Sequence, residues 1–176
     1  MPTVKSSMQG KICMVTGVNL GIGKATALAQ RGATVVMVCR DRARGEQARS
    51  EITTKSRNKA VDLLQADLSS QQSIRQLVKN VQHHYTHLHV LINNAGAAFP
   101  GRRETVDGVE MTFAVNYLAP FLLTHVLLDV LKASAPARIV NVSSNSHEAG
   151  YIQLDDLQEE KHYRRAYEQS KLAVHL

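Results

Sequence analysis

A tyrosine and a lysine stand four residues apart in YEQSKLAVHL, as Tyr167 and Lys171. Four residues is about one helical turn, so on a helix both side chains leave from one face, where an ammonium can act on a phenol. A free phenol has a pKa of about 10, too high to exchange its proton readily at neutral pH, and a neighbouring cation favours the phenolate. Such a pair is a candidate proton donor and acceptor. Near the other end of the chain, TGVNLGIG runs from Thr16 to Gly23 as a glycine-rich turn. Its glycines, Gly17, Gly21 and Gly23, permit positive φ and let backbone N–H groups approach a pyrophosphate, which the positive end of a following helix also attracts. The spacing is not the common G-x-G-x-x-G. Taken singly, each motif also has a plain reading, as a surface pair or as an ordinary turn.

The elements that must position these residues are read from the apolar pattern. Residues 11–16 (KICMVT) form a short apolar run, and residues 22–30 read as a short helix. A second apolar run, residues 33–39 (ATVVMVC), precedes a charged, helix-like stretch over residues 40–55. Residues 61–66 lead to Asp67, and residues 70–83 carry Ile74, Leu77, Val78 and Val81 at helical spacing before the run LHVLI. Past a loop over residues 95–107 come a long apolar segment to residue 132, the strand-like RIVNVS of residues 138–143, a polar stretch and a final helix. Continuously apolar strands separated by helices are what a parallel sheet covered on both faces requires. The pattern predicts one α/β domain over residues 1–176, an open, doubly wound parallel sheet of about five strands with its ligand crevice at their carboxyl ends.

Composition narrows the function classes. The formal charge is +6 over 176 residues, but the basic residues are dispersed, with Arg40, Arg42 and Arg44 the one cluster between elements, so nucleic-acid binding is disfavoured. Cys13 and Cys39 lie in strand-like runs and read as buried free thiols in a reducing compartment. No stretch approaches the roughly 20 consecutive apolar residues of a spanning helix, which predicts a soluble chain without a transmembrane segment. In HHYTHLHV, His83 and His87 are four apart as metal ligands on a helix can be, but that run holds no carboxylate or thiolate, so they read as solvated histidines and no metal is expected.

TGVNLGIG, the NNAG of Asn93 to Gly96, the helix of Asn116, the Ser143 and Ser144 pair and Tyr167-x-x-x-Lys171 occur in the order found in short-chain dehydrogenases/reductases, and the sequence resembles that family. HLHVLINNAG, ARIVNVSS and YEQSKLA further resemble its retinol-dehydrogenase-like branch, which includes many NADP-dependent reductases of apolar carbonyls. The resemblance covers the chain from about Lys11 onward. It implies that Gly17, Asn19, Gly21, Ile22 and Gly23 shape a pyrophosphate turn, that Asp67 and Leu68 meet the adenine, and that Asn94, Ala95 and Gly96 support the cofactor. Asn93 would buffer the sheet edge. Asn116 would hold backbone and a relay water, Ser144 the substrate oxygen, and Tyr167 would be the general acid or base, with Lys171 also holding the nicotinamide ribose; Ser143 would be structural. At the end of the second strand an NAD-selective site places an acid, whereas here Cys39 stands there, followed by Arg40 and by Arg44, so NADP(H) is expected over NAD(H).

The implied reaction interconverts an alcohol and its aldehyde or ketone, small and apolar, in a cytoplasmic homo-oligomer; the alternative is a non-catalytic dinucleotide-binding module. Three departures stand out. Leu20 replaces a small or basic polar residue. Lys24 to Arg31 is about two residues shorter than in relatives, which turns the residues beyond it by about 200°. Family members also continue past the tyrosine helix through a sixth strand and a substrate-covering loop. The expectation is therefore a C-terminally truncated chain whose RIVNVS strand is an exposed edge, whose site is wet, and which alone is poorly stable or needs a partner.

Overall fold

A computed structural model of the chain describes residues 7–18 and 22–176. Asn19, Leu20 and Gly21 of the glycine turn lie outside the described residues. Five strands, β1 (Ile12–Thr16), β2 (Thr34–Cys39), β3 (Val61–Gln65), β4 (Val90–Asn93) and β5 (Arg138–Asn141), form one sheet in the order β3-β2-β1-β4-β5. Every adjacent pair is parallel, with Cys13 of β1 opposite both Val35 of β2 and Val90 of β4. Order reverses between β1 and β4, which opens a crevice at the carboxyl ends of those two strands.

The inner strands β1 and β2 carry apolar runs because their alternate residues enter two separate cores. Met14, Val36, Val38 and Leu91 pack on one face against Ile74, Leu77, Val78 and Val81 of α3 (Gln71–His84) and Leu123 of α5 (Ala119–Val126). Cys13, Val15, Val35 and Met37 pack on the other against Ala25 and Ala29 of α1 (Ile22–Ala29) and Ala48 and Ile52 of α2 (Arg42–Ser56). Both cysteines are free and buried, and burial pushes the Cys13 thiol up to about 11. Side-chain caps start two of the helices: Asp41 accepts from Arg44 N ahead of α2, and Ser70 from Ser73 N ahead of α3. The shortened α1 ends at Ala29, where Gly32 N–H donates to the Ala29 carbonyl and Gly32 takes φ 88°, so the chain re-enters β2 through a tight turn.

Beyond β4 the chain builds one broken helical column: α4 (Met111–Phe113), a π-helical turn (Ala114–Leu118), α5, and α6 (Leu128–Ala133). Glu110, fully buried, starts it by accepting from Thr112 N and Phe113 N. β5 pairs with β4 on one side only among the described residues, and all four of its residues are exposed, Ile139 by 41% and Val140 by 44%. A 3-10 turn (Asn145–Ala149) and a loop lead to α7 (Ala166–Ala173). Two carboxylates organise that loop. Asp156 accepts from Glu160 N and Lys161 N, and Glu159, buried and at φ 49°, accepts from Arg164 N and Arg165 N at the entry to α7.

Candidate active site

The glycine turn and NNAG are built against each other at the crevice. Gly17 sits at φ 67°, and a Cβ there would lie 2.6 Å from Ala95 Cα, so glycine is required both by its backbone angle and by the approach of the second motif. Thr16, buried, accepts from Asn94 N and Ala95 N at 3.0 Å each, and the Asn94 amide returns a bond to the Thr16 carbonyl at 2.9 Å. These bonds weld the ends of β1 and β4 together. A cavity of about 230 Å³ opens there, lined by Gly17, Cys39, Arg40, Asp67, Leu68 and residues 94–97 among others. Ile22 and Gly23 open α1, and among the described residues a Cβ at Gly23 would meet nothing within 4 Å. Arg44 does not line the cavity; it is exposed on α2 with Nε 3.7 Å from the Asp41 carboxylate. Asp67 accepts from the Ser69 amide and hydroxyl through Oδ1.

α7 brings Tyr167 and Lys171 to the same place. The Lys171 ammonium lies 5.7 Å from the centre of the Tyr167 ring and donates to the Val142 carbonyl at 3.1 Å. A Cβ on Gly96 would sit 3.2 Å from that ammonium and 3.4 Å from Asn116 Oδ1, so glycine at 96 leaves room for both groups. Asn116 lies in the π-helical turn, a form that recurs where a helix is locally widened at functional sites. Its side chain accepts from Ala97 N at 2.8 Å and donates to Ala97 O and to Ser170 Oγ at 2.9 Å each. Ser170 is fully buried and ties the π turn to α7. Thr16 and Ser170 carry this framework, yet nothing in their local sequence marks them: each acts on residues more than 50 positions away.

The serine pair divides. Ser143 Oγ donates to the Lys171 carbonyl and meets His175 Nε2, fastening the end of β5 to the end of α7. Ser144 caps the 3-10 turn: its hydroxyl accepts from Ser146 N and bonds Ser146 Oγ, and no hydrogen bond joins it to the Tyr167 phenol. Asn93, buried, donates to Asn141 Oδ1 and Thr124 Oγ1, joining β4 to β5, while its own Oδ1 has no partner. The histidine run is spread out. His83 lies in the last turn of α3, His87 stacks on His89, and His89 Nδ1 accepts from Ile12 N.

Lys171 is 4% exposed, and among the described residues no carboxylate forms an ion pair with it. Burial first, and the charge of Lys24 second, hold its pKa below the ordinary 10.5. A buried, unpaired ammonium destabilises the fold. Replacement by methionine, Lys171→Met, is therefore expected to stabilise the chain by about 1 kcal/mol at neutral pH. The folded pKa lies below the unfolded one, so the penalty is complete below the folded pKa and is relieved as pH rises through it towards 10.5. Urea unfolding at pH 7 and near the top of that window checks this: the gain shrinks at the higher pH.

A parallel β3-β2-β1-β4-β5 sheet whose switch-point crevice joins a glycine turn, NNAG and a helix bearing Tyr167 and Lys171 defines a Rossmann-like architecture, and the chain belongs to the short chain dehydrogenase family, whose model matches residues 11–175. Retinol dehydrogenase 11 of Homo sapiens is 51% identical over 170 residues, covering 94% of this chain and 54% of that relative. The chain thus spans about half the length of the curated relatives it matches. Among solved structures, an uncharacterized protein from Mycobacterium paratuberculosis superposes with a TM-score of 0.81 at 35% identity, over 94% of this chain and 59% of that one. The Pseudomonas aeruginosa RhlG/NADP active-site complex superposes with a TM-score of 0.75 at 30% identity, over 96% and 64%. No helix among the described residues is long and apolar enough to cross a membrane.

Proposed function

We propose that this chain holds the dinucleotide-binding and proton-transfer machinery of an NADP(H)-dependent oxidoreductase that interconverts a small apolar alcohol and its carbonyl. The observation that carries this reading is the approach of Lys171 and Asn116 to Gly96 at the crevice, with the Tyr167 ring centre 5.7 Å from the Lys171 ammonium. The residues present fit a dinucleotide: Gly17, Arg40, Asp67 and Gly96 line one cavity at the carboxyl ends of the strands, and α1 begins at Ile22 and Gly23 after the glycine turn. The nicotinamide supplies or accepts the hydride. Tyr167 gives its proton to the carbonyl oxygen in reduction and takes it back in oxidation, with the Lys171 charge favouring the phenolate. Asn116 holds the Ala97 backbone, and with it the loop after NNAG, in place. Ser144 would hydrogen-bond the substrate oxygen by turning its hydroxyl away from Ser146. A substrate like that in the relative's name, a retinoid alcohol or aldehyde, suits the apolar class.

Arg40 at the cavity wall and the thiol of Cys39 in place of an acid support NADP(H) over NAD(H). Titration with both reduced cofactors tests this, with NADPH expected to bind about tenfold or more tightly, as one charge-assisted phosphate contact provides. Tighter binding of NADH sinks the assignment. The engagement of Ser144 with Ser146 favours a second reading, a module that binds the dinucleotide without turnover. A panel of aldehydes and ketones with NADPH separates the two: oxidation of NADPH supports the enzyme, and binding without oxidation supports the module.

A further inference from the structure

Resting on the dinucleotide reading, we propose that Lys24 is a further cofactor-binding cation, whose ammonium exchanges Asn94 for an oxygen of the cofactor's pyrophosphate. Lys24 stands in the first turn of α1, immediately after Gly23. Its ammonium donates to Asn94 Oδ1 at 2.7 Å, so the side chain spans from α1 to the end of β4, over the switch point between β1 and β4. Asn94 itself lines the cavity. The bond is exposed, and the amide oxygen of Asn94 is a neutral acceptor that a phosphate oxygen outcompetes for an ammonium.

Electrostatics point the same way. Among the described residues neither Lys24 nor Lys171 forms an ion pair. They are nonetheless near enough that Lys24, after burial, is what lowers the affinity of Lys171 for its proton. Two like charges this near repel, and an anion bound at Lys24 offsets the repulsion. The carboxylate in the lining of the cavity, Asp67, is tied to Ser69 after β3, on the far side of the crevice. In the turn itself Leu20 brings no cation. Lys24, four positions on, supplies one from the helix, where the backbone N–H groups of the first turn also favour an anion.

Calorimetric titration of this chain with three ligands tests the assignment: NADPH, 2′-phospho-ADP-ribose, which keeps the pyrophosphate but lacks nicotinamide, and adenosine 2′-monophosphate, which has neither. Lys24→Gln is expected to weaken the first two by the same factor, about tenfold, as loss of one charge-assisted contact implies, and to leave the third unchanged. Lys24→Arg restores binding of both. Since Lys24 is exposed, both variants should melt with the parent. Unaltered NADPH binding in Lys24→Gln overturns the proposal, and so does an equal loss for all three ligands, which would mark a general effect of charge. A parent chain that binds none of the three overturns the dinucleotide reading and this inference with it.

Discussion

Tyr167→Phe is expected to lower carbonyl reduction with NADPH by about a thousandfold, the middle of the range for loss of a general acid, while the dissociation constant of NADPH stays within about twofold. The substitution removes one oxygen and leaves the ring, which carries the packing. The half-buried ring keeps its place 5.7 Å from the Lys171 ammonium, and the Tyr167 hydroxyl takes part in none of the hydrogen bonds that hold α7. Those bonds run instead through Ser170, Ser143 and the Lys171 ammonium, so thermal stability should match the parent. Loss of turnover with intact binding and melting is then a chemical effect. Turnover within about tenfold of the parent would remove Tyr167 from the role of proton donor, because a positioned acid contributes at least about a hundredfold.

Gly17→Ala should be strongly destabilising. Two costs combine at that position. The φ of 67° strains any residue with a Cβ, by about 1 kcal/mol for alanine. The added carbon would also lie 2.6 Å from Ala95 Cα and 3.0 Å from its Cβ, and since the nearer atom is backbone, one motif must move away from the other. A total of about 3 kcal/mol is expected, lowering Tm by about 10 °C in a chain of this size. Gly10 provides the control, because it has φ 75° but, among the described residues, nothing within 4 Å of its Cβ position. Gly10→Ala should cost only the strain, about 1 kcal/mol. If thermal melts place the two variants together, the contact between the glycine turn and NNAG is not what demands glycine. Displacing Ala95 also disturbs the bonds from Thr16, so NADPH binding in Gly17→Ala should fall by more than the loss of folded protein explains.

The parallel sheet was legible because its cause is local. A strand buried on both faces must be apolar at every position, and α3 must repeat its apolar residues at helical spacing, so runs such as ATVVMVC and the Ile74, Leu77, Val78, Val81 stripe declare their elements without reference to the rest of the chain. The four-residue spacing of Tyr167 and Lys171 likewise places them on one face wherever the helix goes. The exposure of RIVN in β5 came from its place at the end of the strand order.

What spacing could not contain is the set of contacts between distant residues. Asn116 and Ser170 are 54 positions apart, and Thr16 and Asn94 are 78 apart; each pair bonds only because sheet order and a π-helical turn bring the partners together. The widened turn depends on hydrogen-bond register in a helix whose apolar pattern looks ordinary, and the hydroxyl of Ser144 bonds Ser146 by geometry that no motif encodes. The burial of Lys171 and the reach of Lys24 to Asn94 are of the same kind. The amino-acid sequence by itself determined the elements, their order and the residues able to transfer a proton, since each is set by periodicity or by functional-group chemistry. The tertiary structure alone decided which of those groups meet, how deeply each charge is buried and which bonds compete for it, because these depend on distances that sequence separation does not measure.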